Sequence, residues 1–187
     1  MANRLVLLLL LGGTVGTVGT LGACGKQIGD ACNFSQDCSP NGDRLCDPTP
    51  SSPGGYCTVL GCDYSTCSSE AVCVQFFTGT FSNRPCLSDA ANQAVCTVDG
   101  LPPTAPPAPT NEAFDEVCAL SGYCVSRASE VRYCMLKCGS DGDCRDGYEC
   151  RTRDLMIDHG GQPVVAPGVD VSQDPQKFCA AKPPTST

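Results

Sequence analysis

Residues 56–73, YCTVLGCDYSTCSSEAVC, and residues 133–150, YCMLKCGSDGDCRDGYEC, share one cysteine pattern. In each stretch a tyrosine precedes the first cysteine, and three further cysteines follow with three to five residues between neighbours. Residues 32–38, CNFSQDC, followed by Cys46, form a looser third copy. Repeats this short and this rich in cysteine are typical of small disulfide-bonded hairpins rather than of a domain built on a large apolar core.

The composition of the whole chain supports the same interpretation. Its 187 residues include 17 cysteines, 20 glycines and 15 prolines but no tryptophan. Such a chain buries too little apolar surface to offset the conformational entropy lost on folding, so cross-links must limit the unfolded state instead. The sequence predicts a small, disulfide-rich, loop-dominated fold with short antiparallel β-hairpins and at most one or two short helices.

The charge pattern excludes two classes of partner. The formal net charge is −8 at pH 7, and no cluster of lysine and arginine occurs in the chain. Nucleic-acid binding and attraction to an anionic membrane surface both depend on such clusters. We therefore expect no nucleic-acid partner.

The N-terminus predicts export. Residues 1–4 end in Arg4, residues 5–11 are an unbroken apolar run, and uncharged residues continue to position 21, which is the layout of a secretory signal peptide. An uncleaved membrane-spanning helix is disfavoured because residues 12–22 are rich in glycine and threonine.

The end of this segment, Leu21-Gly22-Ala23-Cys24, resembles the lipobox of bacterial lipoproteins. The resemblance implies a signal peptide over residues 1–23, peptidase recognition through Leu21, Gly22 and Ala23, and lipid attachment at Cys24. It also implies a membrane partner through the lipid anchor. Position 25 is Gly rather than Asp, which by the sorting rules of Gram-negative lipoproteins favours the outer membrane of the cell envelope.

The number of cysteines agrees with lipidation at Cys24. An odd number in an exported protein leaves one thiol to explain, and removing Cys24 from the 17 leaves 16, enough for eight bridges. The spacing groups most of them in fours, although pairing within a group is left open. The groups are Cys32, Cys38, Cys46 and Cys57; Cys62, Cys67, Cys73 and Cys86; and Cys138, Cys144, Cys150 and Cys179, with Cys96, Cys118, Cys124 and Cys134 left over.

A proline-rich stretch divides the exported chain. Residues 101–110, LPPTAPPAPT, are half proline and predict an extended spacer rather than a recognition motif. The spacer separates one or more N-terminal cysteine-rich modules in residues 24–100 from a C-terminal module in residues 111–187. Apart from Cys24, nine cysteines precede the spacer and seven follow it, so full oxidation requires at least one bridge across it. The predicted pair is Cys96 with Cys118, because these two border the spacer and close the shortest loop across it.

Local patterns predict a few short elements between the cysteines. Residues 72–77, 131–136 and 148–151 read as strands. We expect the first to return as a hairpin at residues 83–87 and the third at residues 177–180. A helix is predicted over residues 112–120, capped by Asn111 and acidic in its first turn.

Metal chemistry has weak support in the sequence. No Cys-x2-Cys pair occurs and His159 is the one histidine, which disfavours zinc. The run DGDCRDG over residues 141–147 begins like an EF-hand loop, but Thr152 stands where the bidentate glutamate belongs. A looser calcium turn between Asp141 and Asp146 remains open beside a simple solvated turn. The sequence predicts no metal and no cofactor.

Catalytic chemistry has little support either. Asp158-His159-Gly160-Gly161 offers a base, but no Gly-x-Ser-x-Gly motif supplies a nucleophile. We therefore interpret His159 as part of a polar loop between Met156 and Pro163, and predict that the protein is not an enzyme.

The lipobox, residues 29–38 with the pattern Gly-Asp-x-Cys-x5-Cys, and residues 138–150 together resemble cysteine-rich lipoproteins of predatory and social Gram-negative soil bacteria. The resemblance implies a multi-disulfide body at the cell envelope and carries no biochemical activity with it. The expected function is a non-enzymatic structural or binding module with a protein or glycan ligand. The alternative is a protease inhibitor or hydrolase-associated disulfide module, which slow cleavage of an exposed, bridge-flanked loop would indicate.

Overall fold

A computed structural model describes residues 25–49, 51–78, 84–88, 94–96, 116–166, 169 and 175–184. Within these ranges the chain forms two short helices, α1 (Ser35–Cys38) and α2 (Arg153–His159), and eleven short strands. The strands are β1 (Leu45–Asp47), β2 (Tyr56–Thr58), β3 (Ala71–Phe77), β4 (Leu87–Ser88), β5 (Ala94–Val95), β6 (Glu116–Cys118), β7 (Cys124–Ser126), β8 (Glu130–Leu136), β9 (Tyr148–Arg151), β10 (Gln162–Pro163) and β11 (Phe178–Ala181).

All strand pairings among these elements are antiparallel. Four sheets are two-stranded, β1-β2, β4-β5, β6-β7 and β9-β11, and one is three-stranded in the order β10-β3-β8. Strand β3 precedes residues 101–110 in sequence, whereas β8 and β10 follow them. The predicted fold class is confirmed: the described chain is small, disulfide-rich and loop-dominated, with short hairpins and two helices.

Three copies of one two-bridge hairpin make up most of the described structure. In each copy the first cysteine bonds the third and the second bonds the fourth, and the third and fourth face each other across an antiparallel strand pair. We call these the first unit (residues 32–57), the second unit (residues 62–134) and the third unit (residues 138–179). Their bridges are Cys32–Cys46 and Cys38–Cys57, Cys62–Cys73 and Cys67–Cys134, and Cys138–Cys150 and Cys144–Cys179.

The second unit contains an insert between its two strands. Residues 78–129 separate β3 from β8 and carry two bridges of their own, Cys86–Cys118 and Cys96–Cys124. The predicted grouping of Cys86 with Cys62, Cys67 and Cys73 is therefore wrong, as is the predicted bridge Cys96–Cys118. The physical reason is that the seven-residue β3 pairs along its whole length with β8, which places Cys134 rather than Cys86 opposite Cys73.

The other two groups, and the requirement for a bridge across residues 101–110, are confirmed. Both bridges of the first unit and both of the third lie within the predicted groups. Three bridges cross the proline-rich residues: Cys67–Cys134, Cys86–Cys118 and Cys96–Cys124. The spacer itself lies outside the described residues.

The predicted strands at residues 72–77, 131–136 and 148–151 are confirmed as β3, β8 and β9, and the return of β9 at residues 177–180 is confirmed as β11. The predicted return of β3 at residues 83–87 is wrong, because β3 pairs with β8 and β10 instead.

The predicted helix over residues 112–120 is wrong where the structure describes it. Residues 116–118 form β6, which pairs with β7 so that Cys118 lies opposite Cys124. Tertiary pairing and two disulfides override a weak local helix propensity here. Residues 111–115, including the proposed cap, lie outside the described residues.

The region between Met156 and Pro163 also differs from the prediction. The expected polar loop is helix α2 up to His159, followed by Gly160, Gly161 and the short strand β10. Met156 is 2% exposed and anchors α2 in the core, which a polar loop would not require.

The main core lies where the three units meet. Its most buried large side chains are Ile28, Val74, Met156 and Phe178, each no more than 2% exposed, with Tyr56 beside them. The aromatic residue that precedes the fourth cysteine of each unit, Tyr56, Tyr133 or Phe178, lies in this core or packs against it. The cysteines of the first unit form a separate small cluster of their own.

Candidate functional site

The sequence-predicted site residues fall into two sets. Leu21, Gly22, Ala23 and Cys24 lie outside the described residues, so signal-peptide cleavage and lipid attachment stay predictions. The other sixteen cysteines are joined in eight bridges. Because each of them is already bonded, none remains as an intramolecular partner for Cys24.

Four groups of three cysteine sulfurs lie within 4.8 Å of one another in the described part of the chain. They include Cys32, Cys38 and Cys57, and Cys138, Cys144 and Cys150. All of these sulfurs belong to disulfides, whereas a metal ligand must be a thiolate. The clustering therefore follows from two bridges meeting in each hairpin.

The acidic turn of the third unit has a structural role. The Asp143 carboxylate accepts hydrogen bonds from the backbone N–H groups of Gly139 (2.8 Å) and Ser140 (2.9 Å). These bonds hold the pKa of Asp143 below its ordinary value. Asp141 accepts a hydrogen bond from the Cys150 N–H at 2.8 Å. Both carboxylates thus stabilise the turn.

A buried polar cluster links β9 to the end of α2. Glu149 and Arg151 are 7% and 6% exposed, and the Arg151 Nε lies 3.3 Å from Glu149 Oε1. The Arg151 guanidinium also donates to the carbonyl oxygens of His159 (2.9 Å), Gly160 (2.6 Å) and Ala181 (2.9 Å). Burial lowers the pKa of Arg151, and the Glu149 carboxylate opposes that shift. The guanidinium neutralises Glu149 and caps the carbonyls that α2 leaves unpaired.

His159 completes this cluster and faces a cleft. Its Nδ1 lies 2.6 Å from Glu149 Oε1, which orients the imidazole ring. Gly161 has φ 81°, and a Cβ there would lie 2.7 Å from Phe76 Cε1, so glycine is needed where the chain passes this ring. The backbone after α2 is thereby held against Phe76, beside His159.

The cleft has a volume of about 370 Å³ and is lined by all three units. Phe76, Phe77 and Tyr133 provide half-buried aromatic rings, and Asp47, Ser51 and His159 provide polar groups, with Lys182, Pro183 and Pro184 also contributing to the lining. Its size and its mixture of aromatic and polar lining are those of small-ligand sites. No local sequence signal indicated it, because the lining comes from segments spread across more than a hundred residues.

A second cavity of about 290 Å³ shares Phe76, Phe77 and His159 with the cleft. It is also lined by Ser121 of the insert, whose buried Oγ has no hydrogen-bond partner in the described structure. No hydroxyl or thiol is hydrogen-bonded to His159 among the described residues, and the bond that its ring makes is to Glu149. The cluster can therefore donate and accept hydrogen bonds at the cleft.

The described residues include no helix long and apolar enough to span a membrane. The disulfide content is consistent with an exported protein. Comparisons of the chain with protein-family models, with curated proteins and with solved structures found no match.

Proposed function

We propose that this protein is a lipid-anchored, non-enzymatic binding protein of the bacterial cell envelope that recognises a glycan in the cleft between its three units. The observation that carries the proposal is the cleft itself: a cavity of about 370 Å³ in which aromatic rings lie beside carboxylate, hydroxyl and imidazole groups. The six bridges of the units hold these groups on short, rigid hairpins.

The lining matches the chemistry of sugars. A pyranose ring has an apolar C–H face that packs on an aromatic ring, and it carries hydroxyl groups that need fixed hydrogen-bond partners. Phe76, Phe77 and Tyr133 supply ring surface, and Asp47 and His159 supply polar partners. The volume of about 370 Å³ suits a small ligand rather than a protein domain.

Anchoring is supported by the disulfide pattern. Every cysteine after Cys24 is bonded to another, which leaves Cys24 available for a thioether. The lipobox-like sequence before Cys24 favours lipidation, and the glycine after it favours the outer membrane.

Glycan binding is tested with the oxidised protein on an array of bacterial envelope glycans. We expect binding that Phe77→Ala weakens at least tenfold, since loss of a stacked ring at the cleft removes about 1.4 kcal/mol or more of binding free energy. Tyr123→Ala is the matched control, because Tyr123 is 46% exposed and lies outside the cleft lining.

Equal binding by Phe77→Ala and Tyr123→Ala would contradict the cleft as the glycan site. If the protein binds no glycan and instead captures one envelope protein, and this capture requires Phe77, then the ligand of the cleft is a protein. Intact mass shows that each variant carries eight bridges, and unfolding by denaturant shows that each has folded cooperatively.

A further inference from the structure

The first described residues pack tightly on the first unit. Gly25 follows Cys24 directly, and a Cβ on Gly25 would lie 3.1 Å from the Cys38 carbonyl oxygen at the end of α1. The next residue is also held, because the Lys26 carbonyl accepts a hydrogen bond from Arg44 and Lys26 Nζ donates to the Ala31 carbonyl at 2.7 Å. A group attached to Cys24 is thus one peptide unit, about 3.8 Å between Cα atoms, from the folded body.

Phe34 lies at the opposite end of α1. Its side chain is 69% exposed, the largest fraction among the large apolar side chains of the described residues. Helix α1 has four residues and rises about 6 Å, so the Phe34 position and the Gly25 contact are separated by little more than one helical turn.

Hydrogen bonds to a side chain of α1 hold the backbone around Phe34 in place. The Asp37 carboxylate accepts hydrogen bonds from the N–H groups of Asn33 (2.8 Å) and Phe34 (3.1 Å). Single exposed apolar side chains are common on protein surfaces. Phe34 lies about one helical turn from the contact that Gly25, the residue after Cys24, makes with the first unit.

We propose that the Phe34 ring inserts into the interfacial layer of the bilayer that carries the Cys24 lipid, so that the first unit rests on the membrane in one orientation. This inference depends on the proposed lipid anchor. The surrounding charges are mixed, since Lys26 and Arg44 lie near Asp30 and Asp37. The contact is therefore apolar, and added salt should leave it unchanged.

The absence of tryptophan from the chain allows a direct test. Phe34→Trp in the lipidated full-length protein introduces a single tryptophan at an exposed position, which can be excited selectively at wavelengths that tyrosine does not absorb. The protein is reconstituted into phosphatidylcholine vesicles whose acyl chains are either unmodified or brominated close to the headgroup. We expect a blue-shifted emission, several-fold stronger quenching by the brominated lipid than for Tyr123→Trp in the same vesicles, and no change of quenching with salt.

The possible outcomes distinguish failure of the proposed lipid anchor from failure of the proposed contact between Phe34 and the membrane. A Phe34→Trp protein that floats with the vesicles but is quenched no more than the Tyr123→Trp control overturns the membrane contact and leaves the anchor in place. Failure of the protein to float with vesicles, with a mass that lacks the lipid, overturns both. Strong quenching that high salt abolishes overturns the apolar contact in favour of an electrostatic one.

Discussion

Tyr56 connects all three units through one side chain. It belongs to the first unit, its hydroxyl accepts a hydrogen bond from the Leu136 N–H of β8 at 2.9 Å, and it donates to the Cys179 carbonyl of the third unit at 3.3 Å. Its ring stacks on Tyr148 with centroids 5.4 Å apart. Burial raises the pKa of the Tyr56 hydroxyl well above its ordinary value, so the hydroxyl stays protonated and keeps donating across the neutral pH range.

Tyr56→Phe should destabilise the oxidised protein by about 1–3 kcal/mol, because the partly buried Leu136 N–H loses its acceptor and the buried Cys179 carbonyl loses its donor. Denaturant unfolding with the disulfides intact measures this loss. Tyr123→Phe is the control, since that side chain is 46% exposed and should change stability by less than about 0.5 kcal/mol. Equal stabilities of the two variants would show that the hydroxyl does not join the units.

Cys24→Ala should release the protein from the membrane or leave the precursor uncleaved, because the atom that forms the thioether is removed. Fractionation of cells followed by intact-mass analysis checks both results. A processed Cys24→Ala protein that still sediments with membranes would contradict the lipid anchor. Cys86→Ala with Cys118→Ala serves as the control, since it removes a bridge and leaves Cys24 unchanged.

The repeated element is the two-bridge hairpin, and each copy begins with the same turn. The side chain before the second cysteine, Asp37, Thr66 or Asp143, accepts a hydrogen bond from the N–H of the residue after the first cysteine. The sequence repeat therefore reflects a turn that needs a short acceptor at that position. This also explains the run of acids in the third unit that resembled the start of a calcium loop.

Acid should weaken these turns. Backbone N–H groups lower the pKa of Asp37 and Asp143 in the folded protein. The two ionised carboxylates therefore stabilise the folded state fully at pH values above their unfolded pKa of about 3.9. This stabilisation is lost as the pH falls through the lower pKa values of the folded state. The double variant Asp37→Asn, Asp143→Asn should be less stable than the parent at pH 7, and the gap should narrow as the pH falls below about 4.

Unfolding midpoints in guanidinium across this pH range, with disulfides intact, provide the measurement. The single variant Asp146→Asn is the control for loss of one carboxylate that is exposed on the third unit. If the difference in stability between the parent and the double variant stayed the same at low pH, the proposed role of the two carboxylates would be contradicted.

At the scale of the whole molecule, the units are joined by contacts that no unit makes alone. The Arg145 guanidinium of the third unit stacks over the Tyr148 ring at 4.2 Å and donates to the Pro53 carbonyl of the first unit at 3.1 Å. Thr58 of β2 donates to the Cys134 carbonyl of the second unit at 2.9 Å. The cleft lies at this junction, so its shape depends on the packing of all three units.

Cutting the chain within residues 101–110, at an inserted protease site, should give one band without reductant and two with it, since three bridges cross this segment. Removing the two bridges of the insert should still leave one band, because Cys67–Cys134 remains. Two bands before reduction in that variant would contradict the Cys67–Cys134 pairing. The variant replaces Cys86, Cys96, Cys118 and Cys124 with alanine.

The sequence by itself determined the class of fold, the strands β3, β8 and β9, and the groups of cysteines in the first and third units. These features are local: their bonded cysteines are 12 to 35 residues apart in sequence, and strand patterns can be read from adjacent residues. The lipobox-like end of the signal peptide is local in the same sense, and it remains a prediction.

Only the tertiary structure decided the partner of Cys67, the strand at residues 116–118 and the cleft. Cys67 bonds Cys134 across 67 residues, and the entropy of closing a loop changes slowly with its length, so spacing cannot distinguish a near partner from a distant one. The cleft joins Asp47, Phe77 and His159 from three units. Those positions become neighbours only because the β3–β8 pairing spans the insert and Tyr56 holds the units together.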